Sequence, residues 1–197
     1  MSGLRLFLNN RELASVSNRK RNIISAYVSG DLIGPELATA HLIGGYYGEP
    51  QDTSHRIWLD GLELKESDEI EIQFLKAIST SGSGMSIEEH AEAHAKDKES
   101  EKVDDEDMHT WLAQQPKARE RFSFELEMPG RDLIRLETGA DDFYFQFGVM
   151  WKWTNPDEAS VRLSSTSLEN VKDQKAGVTH SKYKLHLGQG VKFRVGT

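Results

Sequence analysis

The stretch from Phe143 to Leu163, FYFQFGVMWKWTNPDEASVRL, leaves this chain few folds to choose from. Phe143, Phe145, Phe147, Val149, Trp151 and Trp153 are apolar at alternate positions, and Gln146, Lys152 and Thr154 fall between them. A period of two is the signature of a strand with one face buried. Asn155-Pro156-Asp157 then interrupts the run, because proline has no N–H to give a ladder and Asn and Asp favour turns. Ala159, Val161 and Leu163 resume the alternation. The stretch predicts a β-hairpin that carries much of a core.

The same pattern stands 121 positions earlier, with Ile24, Ala26, Val28 and Leu32 at strand phase, Gly34-Pro35-Glu36 as the break, and Ala38, Ala40 and Leu42 after it. At that spacing LKESDEIEIQF (Leu64 to Phe74) also lies over LHLGQGVKFRV (Leu185 to Val195), matching Ile70 with Val191 and Ile72 with Phe193. With the offset shortened by one, LFLNNRELASV (Leu6 to Val16) lies over LEMPGRDLIRL (Leu126 to Leu136), so that Asn9-Asn10 and Pro129-Gly130 are two solutions to one hairpin turn. Blocks in the same order at nearly constant spacing predict an internal duplication. The expected fold is mainly β: two similar antiparallel β-sandwich or meander units, residues 1–78 and 119–197, joined by an acidic helical insertion, residues 79–118.

Strands are expected near 3–9, 12–17, 22–31, 37–44 and 67–75 in the first unit. Between the last two, Gly44-Gly45-Tyr46-Tyr47-Gly48-Glu49-Pro50 reads as a loop, followed by His55-Arg56-Ile57-Trp58-Leu59 and an Asp60-Gly61 turn. Tyr46, Tyr47 and Trp58, with a histidine and an arginine close by, suit a protein hot spot or a stacking platform for a sugar. Arg19-Lys20-Arg21 reads as a solvated hairpin end, and Asp141-Asp142 as another.

The insertion has a different character. Ser79-Thr80-Ser81-Gly82-Ser83-Gly84 has the composition of a flexible linker. Ser86-Ile87-Glu88-Glu89 fits a capping box and predicts a helix over 87–97, and Asp104 starts a second helix carrying Met108, Trp111 and Leu112 on one face until Pro116. His90 and His94 are one helical turn apart, the spacing that lets two imidazoles share a metal. Yet HAEAH lacks the glutamate that follows the first histidine in H-E-x-x-H, so the general base of that motif is missing. No nucleophile elbow, phosphate loop or dinucleotide fingerprint is present, and no motif places a serine or carboxylate near His180 and His186.

Charge narrows the function further. Of the net −8, residues 79–118 contribute −6, from 4 Lys+Arg against 10 Asp+Glu, while residues 119–197 contribute +1. No basic stripe offers itself to nucleic acid, and no apolar run approaches the ~20 residues of a membrane helix. With no cysteine there are no disulfides or thiolate sites, and a reducing, cytoplasmic setting is expected. The expectation is a non-catalytic protein-binding module without cofactor, of the kind an inhibitor or immunity-type antagonist would be. It would engage a basic partner through Asp104, Asp105, Asp107 and Trp111 of the connector and through Tyr46, Tyr47 and Trp58. The alternatives are a carbohydrate- or small-ligand-binding sandwich using those loop aromatics, and a metal-dependent enzyme built on His90 and His94.

Overall fold

A computed structural model describes every residue except 20, 47–54, 94–104, 173–174 and 197, and gives the backbone alone at 105–109 and 171–172. The described chain is mainly strand, arranged as two antiparallel sheets packed face to face. In chain order the strands are β1 (Ser2–Leu8), β2 (Arg11–Ser17), β3 (Ile23–Asp31), β4 (Ala38–Gly45), β5 (Arg56–Leu64), β6 (Glu69–Lys76), β7 (Met85–Ser86), β8 (Ser123–Glu127), β9 (Ile134–Glu137), β10 (Asp142–Lys152), β11 (Glu158–Ser167), β12 (Val178–His186) and β13 (Gln189–Gly196). Helices α1 (Ile87–Ala93), α2 (Asp105–Gln114) and α3 (Leu168–Lys172) complete the set. Among the described residues no helix is long and apolar enough to cross a membrane.

One sheet has six strands in the order β2-β1-β6-β13-β8-β9, and the other has seven in the order β12-β11-β10-β3-β4-β5-β7. Exchanging β1–β6 for β8–β13 leaves the six-stranded order unchanged read from the opposite edge, and does the same for β3–β5 and β10–β12 in the other sheet. The seams β6·β13 and β3·β10 lie inside the sheets, so the strands of 1–78 and of 119–197 share both of them. Along the second seam Phe147 pairs with Val28, Val149 with Ala26 and Trp151 with Ile24, all facing inward.

Alternation explains why these segments are strands. Ile24, Ala26 and Val28 are fully buried, as are Phe145, Phe147 and Val149, while the intervening positions face outward. Leu64 and Leu185, Ile70 and Val191, and Ile72 and Phe193 are buried at matching places. The core is one continuous cluster. Its aromatic part comes mainly from the second half, Phe74 being the first half's contribution; Phe147 stacks on Phe193 with centroids 4.3 Å apart and Phe145 packs edge-on against Phe122 at 4.6 Å. Its small residues, Ala14, Ala26, Ala38 and Ala40, come mainly from the first.

Three local expectations are corrected. Asp60-Gly61 is not a turn: β5 runs through it, the register to β4 shifts there, and Gly61 takes φ +63°. That combination is a β-bulge, in which one extra residue bends the strand. Trp153, in phase with the core, lies past the end of β10 and is exposed. The helices are not confined to the connector, because α3 follows β11 directly.

The first residues of the connector run along an edge of each sheet. The Ser81 N–H donates to the Ser15 carbonyl at 2.8 Å, the Ser15 and Ser17 N–H groups donate to Ser81 Oγ and Thr80 Oγ1, and Ser15 Oγ donates to the Ser79 carbonyl. Thus 79–81, with the composition of a flexible linker, caps the β2 edge, and β7 then pairs with the β5 edge. A capped edge no longer offers unpaired backbone to another chain.

Candidate functional site

At the end of the seven-stranded sheet where β3 begins, three neighbouring strands finish in one row. The Asn22 N–H donates to the Gly45 carbonyl at 2.9 Å, and the Trp153 N–H donates to the Asn22 carbonyl at 2.9 Å. Tyr46 and Trp153 therefore flank Asn22, two strand spacings or about 10 Å apart. Tyr46 is 45% exposed and Trp153 63% exposed. Met85 and Ile87, also exposed, lie one strand beyond β5 on the same side of the molecule.

Trp58 belongs to this end but presents less of itself. It is half-buried against the core, the Arg21 guanidinium lies 4.5 Å from its ring centroid, and Gly84 packs against its indole edge. Arg21 is thus no solvated hairpin end: it donates to the Ser17 and Arg19 carbonyls, and burial, with Arg56 nearby, lowers its pKa. Tyr47 lies outside the described residues.

A polar network sits on the outer face beside this rim. Asp60 receives His41 Nδ1 at 2.8 Å on one oxygen and His90 Nε2 on the other. His41 Nδ1 also receives the Gly61 N–H at 3.2 Å, and its Nε2 lies 3.0 Å from the Thr39 hydroxyl. Burial alone would raise the Asp60 pKa, but hydrogen bonds from His90 and His41 and the nearby imidazoles bring it below its ordinary 3.8. Tyr27 stacks on His41 at 4.5 Å, and burial, then Asp60 and Tyr144, raises its pKa. The bulge at Gly61 sets Asp60 between the two imidazoles. His90 thereby ties α1 to β5, as does Glu89 through Arg56 at 3.3 Å. His90 Nε2 meets the Asp60 carboxylate, His94 lies outside the described residues, and no group of three metal-ligating side chains is found among those described.

A second buried polar cluster was invisible to motif reasoning. Ser165 Oγ donates to Asp142 Oδ2 at 2.5 Å and accepts from His180 Nε2 at 2.6 Å, and the Gly139 N–H also donates to Asp142 at 2.8 Å. Asp142 and Ser165 are buried, so Asp142 is no exposed hairpin end. The signal was the polar Ser165 at an inward position of β11, two residues after the buried Leu163.

Comparison with family models, with curated proteins and with solved structures finds no match to this chain. The site therefore stands on its geometry.

The structure does not bring the connector's anchor to the rim. Helix α2 packs beside α3, and the chain after it reaches the Leu32 carbonyl through the Ala118 N–H, at the far end of β3. Trp111 is 54% exposed there, separated from Tyr46 by the length of β3, roughly 30 Å. Asp105 and Asp107 lie in α2 with side chains outside the description, and Asp104 lies outside it altogether.

Proposed function

We propose that the chain is a non-catalytic protein-binding module whose principal contact is the rim formed by Tyr46 and Trp153. The observation that carries the reading is the exposure of two large aromatics at the ends of β4 and β10, on either side of β3, where backbone hydrogen bonds to Asn22 fix both strand ends. Rigid, solvent-facing aromatic side chains supply most of the lasting affinity of protein contacts. Supporting it, the two hydroxyl–imidazole–carboxylate groupings are tied up structurally: Asp60 holds α1 to β5, and Ser165 is 2% exposed. A cysteine-free chain fits a reducing, cytoplasmic setting.

The same proposal includes an internal duplication. The shared strand order and matched core positions support two copies of one unit that closed around a common core, with the acidic connector inserted between them. Counting inward from the matched pairs, the bulge residue Trp58 corresponds to His180, Gly44 to Ser165 and Arg21 to Asp142. One copy fills this position with an aromatic and a guanidinium, the other with a polar relay. The Trp58–Arg21 pair beside the rim is thus the first copy's variant of a shared position, while the rim itself draws Tyr46 from the first copy and Trp153 from the second.

The test is a photo-crosslinking residue at Trp153 in the native cell, with the same residue at exposed Leu133 as control. A single adduct formed only from position 153 is expected. The captured protein should then bind the purified chain at least tenfold more weakly after Tyr46→Ala or Trp153→Ala. Absence of a position-specific adduct overturns the reading. Surface charges act over a Debye length of about 8 Å at physiological ionic strength, so the connector acids work at their own end. Replacing Asp104, Asp105 and Asp107 by Asn separates the contributions: a basic partner that also covers α2 associates more slowly, and one held at the rim alone does not.

A further inference from the structure

We infer that the outer edge of β12 is a second interaction surface, which takes an extended acidic segment of another protein as an added antiparallel strand of the seven-stranded sheet. The strands that end the two sheets are β2, β9, β7 and β12. On β2 the Ser15 and Ser17 N–H groups are taken by the Ser81 and Thr80 hydroxyls. Strand β9 is four residues long and β7 two, whereas β12 has nine. Among the described residues no strand pairs with the outer side of β12. Its counterpart in the sheet order is β5, and β5 is covered by β7. The same position is closed at one end of the sheet and open at the other.

The backbone fixes which groups this edge offers. Along an antiparallel pair, residues that exchange N–H and C=O bonds with the neighbouring strand alternate with residues whose groups point away from it. The His186 N–H donates to Gln189 Oε1 at 2.8 Å and so is turned away from Glu158, its partner in register on β11. The register from His186 back to Ser181 is unbroken, so Lys184 and Lys182 at the same phase are turned away from β11 as well. Each offers an N–H and a C=O to an incoming strand, roughly 7 Å apart along the edge. Tyr183 between them holds this stretch to the turn after β8: its hydroxyl donates to the Pro129 carbonyl at 3.2 Å, and the Arg131 guanidinium lies 5.0 Å from its ring centroid.

The side chains choose the occupant. Lys182, Lys184 and His186 are exposed on the outer face, and Val178–His186 contains no acid in a chain of net charge −8. Lysines on an edge strand deter self-pairing. A second copy joined antiparallel about Tyr183 sets Lys182 against Lys184, and like charges directly opposite are destabilising. Lys184 already bonds Glu158 of the neighbouring strand at 2.6 Å, so a carboxylate across the ladder is the partner this face accepts. On an added strand the residues opposite Lys182 and Lys184 are two apart, which calls for acid-x-acid in the incoming segment. Main-chain bonds supply affinity in such strand addition, and alternate side chains supply specificity.

The test uses a capped peptide of alternating glutamate and threonine, titrated by NMR into the isotopically labelled full chain. One control peptide carries lysine for glutamate. A second is N-methylated at its glutamates, the residues whose N–H groups face β12 in the added strand. Saturable shifts are expected along 181–186, with exchange of the Lys182 and Lys184 amides slowed about tenfold or more at saturation. Both control peptides should bind at least about tenfold more weakly, and Lys182→Glu should weaken the glutamate peptide to the same degree. Lys182 is exposed, so its replacement keeps the fold, which circular dichroism checks. Trp153→Ala should leave peptide binding unchanged, which separates this edge from the aromatic rim. Shifts that do not saturate, or an N-methylated peptide that binds as tightly as its parent, overturn the inference. Protection of the Lys182 and Lys184 amides that grows with protein concentration in the absence of peptide makes a second copy the occupant and overturns it too.

Discussion

Trp151 and Trp153 are two residues apart at the same strand phase, yet one is 2% exposed and the other 63%. Trp151 lies under the opposite sheet and donates Nε1 to the Pro156 carbonyl at 3.1 Å, whereas Trp153 follows the last ladder pair, where the sandwich provides no roof. Alternation reveals direction but not where the opposing layer ends, which is why the rim was legible at Tyr46 and not at Trp153. Asp60 gives a pH prediction. Its folded pKa lies below the ordinary 3.8, so it contributes stability above that value and loses it as pH falls through the folded pKa. Asp60→Asn should flatten the acid limb of a denaturation profile below about pH 4 and cost no more than ~1 kcal/mol at pH 7, because the carboxylate is partly exposed and screened. Ser165→Ala should cost more, about 2–3 kcal/mol by urea denaturation, since it leaves the buried Asp142 carboxylate without its charge-assisted partner. Nothing in the spacing of 142, 165 and 180 announces that cluster, because three different strands carry its members.

Among the elements, α1 was the most legible. Ser86 Oγ accepts from the Glu89 N–H at 3.1 Å while the Glu89 carboxylate accepts from the Ser86 N–H at 2.6 Å, the reciprocal pair that S-x-x-E predicts. That backbone bond is the first cause of the lowered Glu89 pKa. Ser86→Ala should weaken α1 by ~1 kcal/mol, read as roughly fivefold faster amide exchange in 87–93 with the strands unchanged. Strand β5 was the least legible. Asp-Gly signals a turn by the same preference for positive φ that a bulge requires, and only the neighbouring strand decides between them. Likewise, the Ser/Thr run at 79–81 has a linker's composition, but its hydroxyls match the unpaired backbone of an edge strand.

For the molecule as a whole, the two halves complement each other in volume. Bulky Phe145, Phe147 and Phe193 of the second share one core with the small Ala26, Ala38 and Ala40 of the first. Phe147→Ala should therefore cost about 3–5 kcal/mol in thermal or urea unfolding, with both halves lost in one transition. The repeat pattern made the two sets of strands visible in advance but not their shared core, because hydrophobic phase says which face is buried and not against what. The placement of the seams has a consequence in time. While the chain is being synthesised, β3 and β6 are complete long before β10 and β13 exist, and each waits with an open edge. A neighbouring chain's second half presents the same register as its own. Refolding from urea at high concentration should accordingly leave a fraction of reciprocally exchanged dimers, separable by size exclusion and declining on dilution of the refolding mixture.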